Sequence, residues 1–310
     1  MKIIFLGSSH FAVPALEALI KARHKIPCVV TQPDKKKGRH LHLGVTDVKA
    51  LAIQAGLKVF QPEDINSASS VALLKRLNAD LFVVVAYGQM LSQEVLDIPK
   101  VFPINIHASL LPKYRGAAPI NWAIIRGEKF SGVTIMQVIK KMDSGAIIMQ
   151  KEIAINKDDD AVLLESKLRD LGAELLLKVI QAIKNNDFKL TPQVENQVSF
   201  APKLNKEVGL IDWGKPAAEI CNLIRGAFPW PGAFTHYKGK LLKIYKAKIL
   251  VGSGAKIQCG QVQDISKEGI SVTTGKDILV IQELQLEGKR RMRVEDFIAG
   301  HKVSLKDKFI

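Results

Sequence analysis

The chain has 310 residues, about twice the usual single-domain length, which predicts two domains and a sizeable core. Hydrophobic residues make up 47% and charged residues 24%, and no apolar run reaches the ~18 to 20 residues that span a bilayer, which argues against a membrane protein. A formal charge of +15 argues for a polyanionic partner, and three scattered cysteines, Cys28, Cys221 and Cys259, argue against a disulfide framework or a thiolate zinc site.

The N-terminal MKIIFLG breaks at Gly7, too early for a secretory signal, so a cytoplasmic protein is expected. KIIFLG (2–7) is a short apolar run, and Val13, Leu16, Leu19 and Ile20 follow at helical spacing: strand, turn, helix. The same alternation predicts strands at 25–33, 58–62 and 80–88 and helices at 48–56 and 70–78. LFVVVA is apolar throughout, as in strands covered on both faces, so the expected fold is Rossmann-like α/β, a mostly parallel sheet with helices on both faces. The first turn, GSSHFA, lacks the later glycines of a dinucleotide fingerprint, and no GxxxxGK[ST] occurs. Neither NAD nor ATP is expected. KKKGR (35–39) reads as a basic loop tip.

Further along, INIH (104–107) is followed by a helix near 119–127, strands at 132–139 and 146–155, and a long amphipathic helix over 158–186 whose Asp run suits the N-terminal dipole. Residues 191–209 show little periodicity and read as a linker. Beyond them come a short helix at 216–228 and short strands with turn signals about every ten residues, the pattern of a small β-barrel. The domain boundaries drawn from this are 1–189, a linker at 190–208, and 209–310.

The charge is uneven. No acidic residue occurs between Glu219 and Asp264, whereas Arg225, Lys238, Lys240, Lys243, Lys246, Lys248 and Lys256 do. That run predicts an uncompensated positive surface suited to a phosphate backbone, and GKRRMR (288–293) adds a second cluster.

Alternation along a strand puts Ile104 and Ile106 on one face and Asn105 and His107 on the other, at the carboxyl end of the strand, where open α/β sheets place their sites. An Asn amide can stabilise an oxyanion and a His can carry a proton near neutral pH, so the pair suits attack on a carbonyl. Asp143, in a loop between two strand-like runs, is the candidate to orient or charge the His. A His107 that merely caps the following turn is the plain alternative. A Ser109-His107-Asp hydrolase lacks its GxSxG elbow.

NIHASLLPKYRGAAPINWAI with the downstream MDSGAII resembles the folate-dependent formyltransferase family, and FLGSSHFAVPALEAL, QPDKKKGR and WPGAFT extend the resemblance over essentially the whole chain. The resemblance implies that Asn105, His107 and Asp143 are catalytic, that Ser109, Leu110, Leu111 and Pro112 border the formyl-folate pocket, and that Tyr87, Gly88, Met90 and Leu91 line it. It further implies 10-formyltetrahydrofolate as formyl donor, no metal, and a C-terminal OB-like domain that holds initiator methionyl-tRNA, the acceptor. Lys35, Lys36, Lys37, Arg39, Lys203, Lys206, Lys246, Lys248 and Arg290 are the cations expected to meet the tRNA, and a monomer is expected. After KKKGR the family's usual loop pattern is replaced by HLHLGVTDVK. The rival readings are another formyltetrahydrofolate-using transferase or hydrolase, and a non-enzymatic RNA-binding protein, which would have lost Asn105, His107 or Asp143.

Overall fold

The computed structural model describes residues 1–37, 42–252, 258–305 and 307–310, with only the backbone of Lys36, Lys37, His42 and Leu43. Arg39 and Lys256, both named above, lie outside the described residues. The chain divides into two compact units, the first built from 1–119, 130–154 and 165–201, the second from 120–129, 155–164 and 202–310.

The first unit opens with β1 (Lys2–Gly7), α1 (Val13–Lys21) and β2 (Lys25–Val30). A short antiparallel hairpin follows, β3 (Lys35–Lys37) with β4 (His42–Gly44). The basic segment at 35–37 is therefore paired strand rather than loop tip. At its root Asp34 bonds the Lys49 ammonium and, at 2.8 Å, the Gln61 amide, which hold its carboxyl below the usual range. Next come α2 (Asp47–Gln54), β5 (Val59–Phe60), α3 (Ala68–Arg76), β6 (Leu81–Val85), α4 (Gln93–Leu96) and β7 (Pro103–His107). Thr46, Ser67 and Ser92 start α2, α3 and α4 by accepting from the backbone amides of Lys49, Ser70 and Val95. After α5 (Pro119–Ile125), which from residue 120 counts with the second unit, come β8 (Phe130–Gln137), β9 (Ile147–Ala154) and α6 (Ala161–Lys184), the last counting with the first unit from residue 165.

The seven-stranded sheet has the order β5-β2-β1-β6-β7-β8-β9. It is parallel from β5 through β7, and β8 runs antiparallel between β7 and β9, so the predicted architecture holds with one reversed strand next to one edge. Strand order reverses between β1 and β6, placing the crevice beyond the carboxyl ends of β1, β6 and β7 where ligands meet such sheets. In β7, Ile104 and Ile106 are buried while Asn105 is partly open. A Cβ on Gly172 of α6 would lie 2.9 Å from Ile106 Cγ2, so glycine lets α6 close on the isoleucine face.

In the second unit α7 (Ala217–Gly226) precedes β10 (Ala233–Tyr237), β11 (Lys240–Leu250), β12 (Val262–Ser266), β13 (Gly269–Thr273), β14 (Ile278–Leu286), β15 (Met292–Arg293) and α8 (Val294–Gly300). The antiparallel order is β10-β11-β14-β13-β12, with β15 on β14. Residues 307–310 then bridge the two free edges: Phe309 pairs with Tyr237 of β10 and Lys308 with Gln261 beside β12. Among the described residues these bridges close the hydrogen-bonded ring between β10 and β12. Leu242, Ile270, Leu279, Ile281 and Phe297 fill its core, and Phe309 packs 5.6 Å from Trp213 and 5.2 Å from Tyr237, ring centre to ring centre. Among the described residues no helix is long and apolar enough to cross a membrane.

Candidate active site

Register assembles the site. His107 of β7 lies opposite Thr134 of β8, and Thr134 opposite Gln150 of β9, so the three side chains form a row on the Asn105 face of the sheet. Thr134 is fully buried and its hydroxyl is fully used. It donates to the Ser109 carbonyl at 2.6 Å and accepts from the Leu111 amide at 3.1 Å and the Gln150 side-chain amide at 2.8 Å. Gln150 also donates to the Leu111 carbonyl, 2.8 Å away. These bonds hold the Ser109-Leu110-Leu111-Pro112 turn against β8 and β9. The Ser109 hydroxyl donates to the Lys113 carbonyl at 2.7 Å and so is not paired with a base, which disposes of the Ser-His-Asp reading.

His107 is buried, and its Nε2 lies 2.9 Å from the Tyr114 carbonyl. A carbonyl only accepts, so Nε2 carries a proton. Nδ1 faces Asp143 Oδ2 at 3.7 Å, too long for a hydrogen bond and within ion-pair distance of a protonated ring, and the two groups are 7% and 14% exposed. A second proton on Nδ1 would make the ring a cation beside the carboxylate while leaving that N–H free to donate. Asp143 Oδ2 accepts from the Gly116 amide at 2.9 Å, and Asp143 itself has φ 48, the left-handed region that non-glycine residues seldom occupy.

The second wall of the crevice is the 86–91 loop after β6. Tyr87 and Leu91 are buried in the core below it, whereas Met90 is 52% exposed. Burial pushes the Tyr87 hydroxyl pKa up, and among the described residues its oxygen has no hydrogen-bond partner. Gly88 has φ 94, which glycine tolerates best. The loop is pinned from outside: Ser8 donates to the Tyr87 carbonyl at 3.0 Å, Asn66 to the Met90 carbonyl at 3.0 Å, and Gln89 accepts from the Ile65 amide at 2.9 Å.

Residues 191–201 do not hang free. Gln193 donates to the carbonyls of Asp143 (2.9 Å) and Gly145 (2.8 Å) and accepts from Arg115 Nε (3.0 Å). Ser199 Oγ accepts from the Tyr114 amide at 3.0 Å, and the Ala201 amide donates to the Arg115 carbonyl at 2.8 Å. Sequence reading missed Thr134, Gln150 and Gln193; only an in-register pairing of β7, β8 and β9 would have brought the first two forward.

The basic run of the second unit divides. Arg225 is not a surface cation: it donates to the carbonyls of Asn156 (3.2 Å) and Asp159 (2.7 Å) and to Asn222 (2.7 Å), and burial lowers its pKa. Lys238 pairs with Asp307 at 3.1 Å and Lys248 with Glu268 at 3.5 Å. The expected uncompensated surface is thus partly compensated by acids from outside the run. Lys203, Lys206, Lys246 and Arg290 are exposed, as is Lys35 on the hairpin of the first unit. Among the described residues, no group of three or more His, Cys, Asp or Glu could hold a metal ion.

Comparison with known proteins agrees over both units. The profile described as Formyl transferase matches residues 1–180, and that described as Formyl transferase, C-terminal domain, matches 203–302. The chain is 44% identical over 303 residues to the methionyl-tRNA formyltransferase of Acetivibrio thermocellus, covering 98% of this chain and 97% of the relative. It is 45% identical over 303 residues to that of Alkaliphilus oremlandii, with 98% and 97% covered. Among solved structures, an N-formyltransferase from Helicobacter canadensis, in complex with folinic acid and dTDP-3-aminofucose, superimposes with a TM-score of 0.69 at 22% identity, covering 91% of this chain and 99% of that one. At that identity the likeness speaks for the fold.

Proposed function

The chain belongs to the formyl transferase family, and from that membership we infer its reaction: it transfers the formyl group of 10-formyltetrahydrofolate to the α-amino group of methionyl-tRNA. The observation that carries this reading is identity of about 44% to methionyl-tRNA formyltransferases over both units, barrel included. A formyl transferase with a different acceptor is not favoured by relatives of that coverage.

For the chemistry, Asn105, His107 and Asp143 are the working set. The free amine attacks the formyl carbon, the carbonyl oxygen becomes an oxyanion, and the Asn105 amide with the Nδ1–H of protonated His107 stabilises it. Asp143 supports the positive charge on the ring across 3.7 Å without consuming the Nδ1 proton in a hydrogen bond. As the carbon to N10 bond breaks, the proton lost by the attacking ammonium passes through water to N10, so charge and atoms balance without a covalent enzyme intermediate. The 109–112 turn and Tyr87, Gly88, Met90 and Leu91 bound the folate.

Catalysis falls to 1–189 and the holding of tRNA to 209–310, with 190–208 running between them and its 191–201 part bonded to the catalytic residues' loops. Lys35, Lys36, Lys37, Arg39, Lys203, Lys206, Lys246, Lys248 and Arg290 meet phosphates, with the 35–46 segment reaching the acceptor end. The protein works as a cytoplasmic monomer. Transfer of labelled formyl to charged initiator tRNA at low and high salt tests the reading. Consumption of formyltetrahydrofolate with the aminoacyl-tRNA left unformylated would overturn it.

A further inference from the structure

We infer that Gln193, in a segment without regular secondary structure, is a positioning residue that sets the Asp143 carboxylate against His107, and that Arg115 fixes the orientation of Gln193. The inference rests on the assignment of Asp143 to the formyl-transfer step.

Asp143 needs such a holder. Its φ of 48 is a conformation that non-glycine residues hold only where surrounding contacts enforce it, and its loop carries the carboxylate on a short excursion between β8 and β9. The two hydrogens of the Gln193 amide are both spent on this loop, one on the carbonyl of Asp143 itself and one on that of Gly145. The loop is therefore pinned on both sides of Ser144. Position 145 admits no side chain in this packing, since a Cβ there would lie 1.8 Å from the Gln137 carbonyl oxygen.

The amide can sit only one way round. Its oxygen faces Arg115 Nε at 3.0 Å, and a guanidinium offers donors alone, whereas the two loop carbonyls only accept. A flipped amide would break three bonds together. Arg115 is 2% exposed, and its Nη2 reaches outward to Glu195 at 3.1 Å, whose carboxyl is thereby held below its usual pKa. From the next residue, the Gly116 amide bonds Asp143 Oδ2 at 2.9 Å. Adjacent residues thus reach Asp143 at both ends: Gly116 at the carboxylate directly, and Arg115 at the backbone through Gln193.

Two variants separate positioning from a merely structural role. Gln193→Glu keeps an acceptor for Arg115 but sets a second oxygen against the two carbonyls; Gln193→Met removes every polar bond at similar length. In steady-state formyl transfer, kcat falls ~10- to 100-fold with KM for both substrates unchanged, because the error lies in the geometry of the reacting groups. The pH profile of kcat shifts in both variants, and the ¹⁵N resonances of the His107 ring move in the free protein. Wild-type kcat and pH profile in either folded variant, or an effect confined to KM, would overturn the inference. If Gln193→Met does not fold, Gln193→Glu, which retains the Arg115 bond, decides alone. A wild type that forms no formyl-methionyl-tRNA defeats the proposed function instead, and the His107 resonances still report whether Gln193 governs the pair.

Discussion

His107 and Asp143 face each other across 3.7 Å, and the other ring nitrogen of His107 is already bound to the Tyr114 carbonyl. The ring therefore has one free proton site, and that site lies between the carboxylate and the crevice. Removing the ring or the charge should affect turnover far more than recruitment. His107→Ala and Asp143→Asn are expected to lower kcat by ~10²- to 10⁴-fold with the dissociation constant for tRNA nearly unchanged. Single-turnover formylation beside filter binding checks this, and a large fall in tRNA affinity would overturn the division of roles.

Thr134 offers a different disruption. Its buried hydroxyl serves three partners around the Ser109–Pro112 turn, and the bonds to Ser109 and Leu111 lie away from water. Thr134→Val keeps the volume and strands the Ser109 carbonyl and the Leu111 amide, with a stability loss of about 1–3 kcal/mol. The turn should also lose its anchoring, so KM for the folate should rise more than KM for the tRNA. Urea melts and steady-state kinetics on the same preparation read both.

Asp307 gives the barrel a pH dependence. Burial pushes its carboxyl up, but the Tyr237 hydroxyl at 2.6 Å, the Ser304 amide at 2.9 Å and the Lys238 ammonium outweigh that and hold it at about 2. A carboxyl depressed by folding contributes stability that is complete above its unfolded value, about 4, and that fades as the pH falls towards its folded value. Asp307→Asn should therefore be less stable than wild type at pH 6, and the gap should narrow between pH 4 and 2 in denaturant titrations.

Phe309, 1% exposed between Trp213 and Tyr237, joins the segment that closes the ring. Phe309→Ala should destabilise the second unit by about 3–5 kcal/mol. Calorimetry should show that loss while formyl-folate binding is retained.

For the exposed cations, binding of tRNA should weaken linearly with the logarithm of salt concentration. Lys206→Gln and Lys246→Gln should each lower the slope by about one and weaken initiator and elongator tRNA alike. Equal slopes in wild type and variants would remove those residues from the interface.

What could be read from the sequence was whatever its neighbours in sequence determine. Alternation alone separates Asn105 and His107 from Ile104 and Ile106, and the apolar run of β6 implies a covered strand. The bonds of Thr134 and Gln193 leave no such trace, because their partners lie 23 and 50 positions away and a single polar side chain has no period. Counting charges misjudged Arg225 for a related reason: its partners are carbonyls, which carry no formal charge and cannot be counted. The pairing of 35–37 with 42–44 was hidden by three lysines, residues that seldom announce a strand.

The bond from the Tyr114 amide to Ser199 closes a loop of 85 positions, and the one from Gln193 to Asp143 a loop of 50. β1 and β6 pair across a comparable span, Ile3 with Leu81, but they do so with a whole strand ladder, whereas these two loops are held by single side-chain bonds. A layer held by few bonds opens before a ladder does, so the amides of Gly116 and Ala201 should exchange with solvent ahead of those in β7. Activity should then disappear during unfolding before the sheet does. The catalytic apparatus has a lifetime of its own, shorter than that of the fold that carries it.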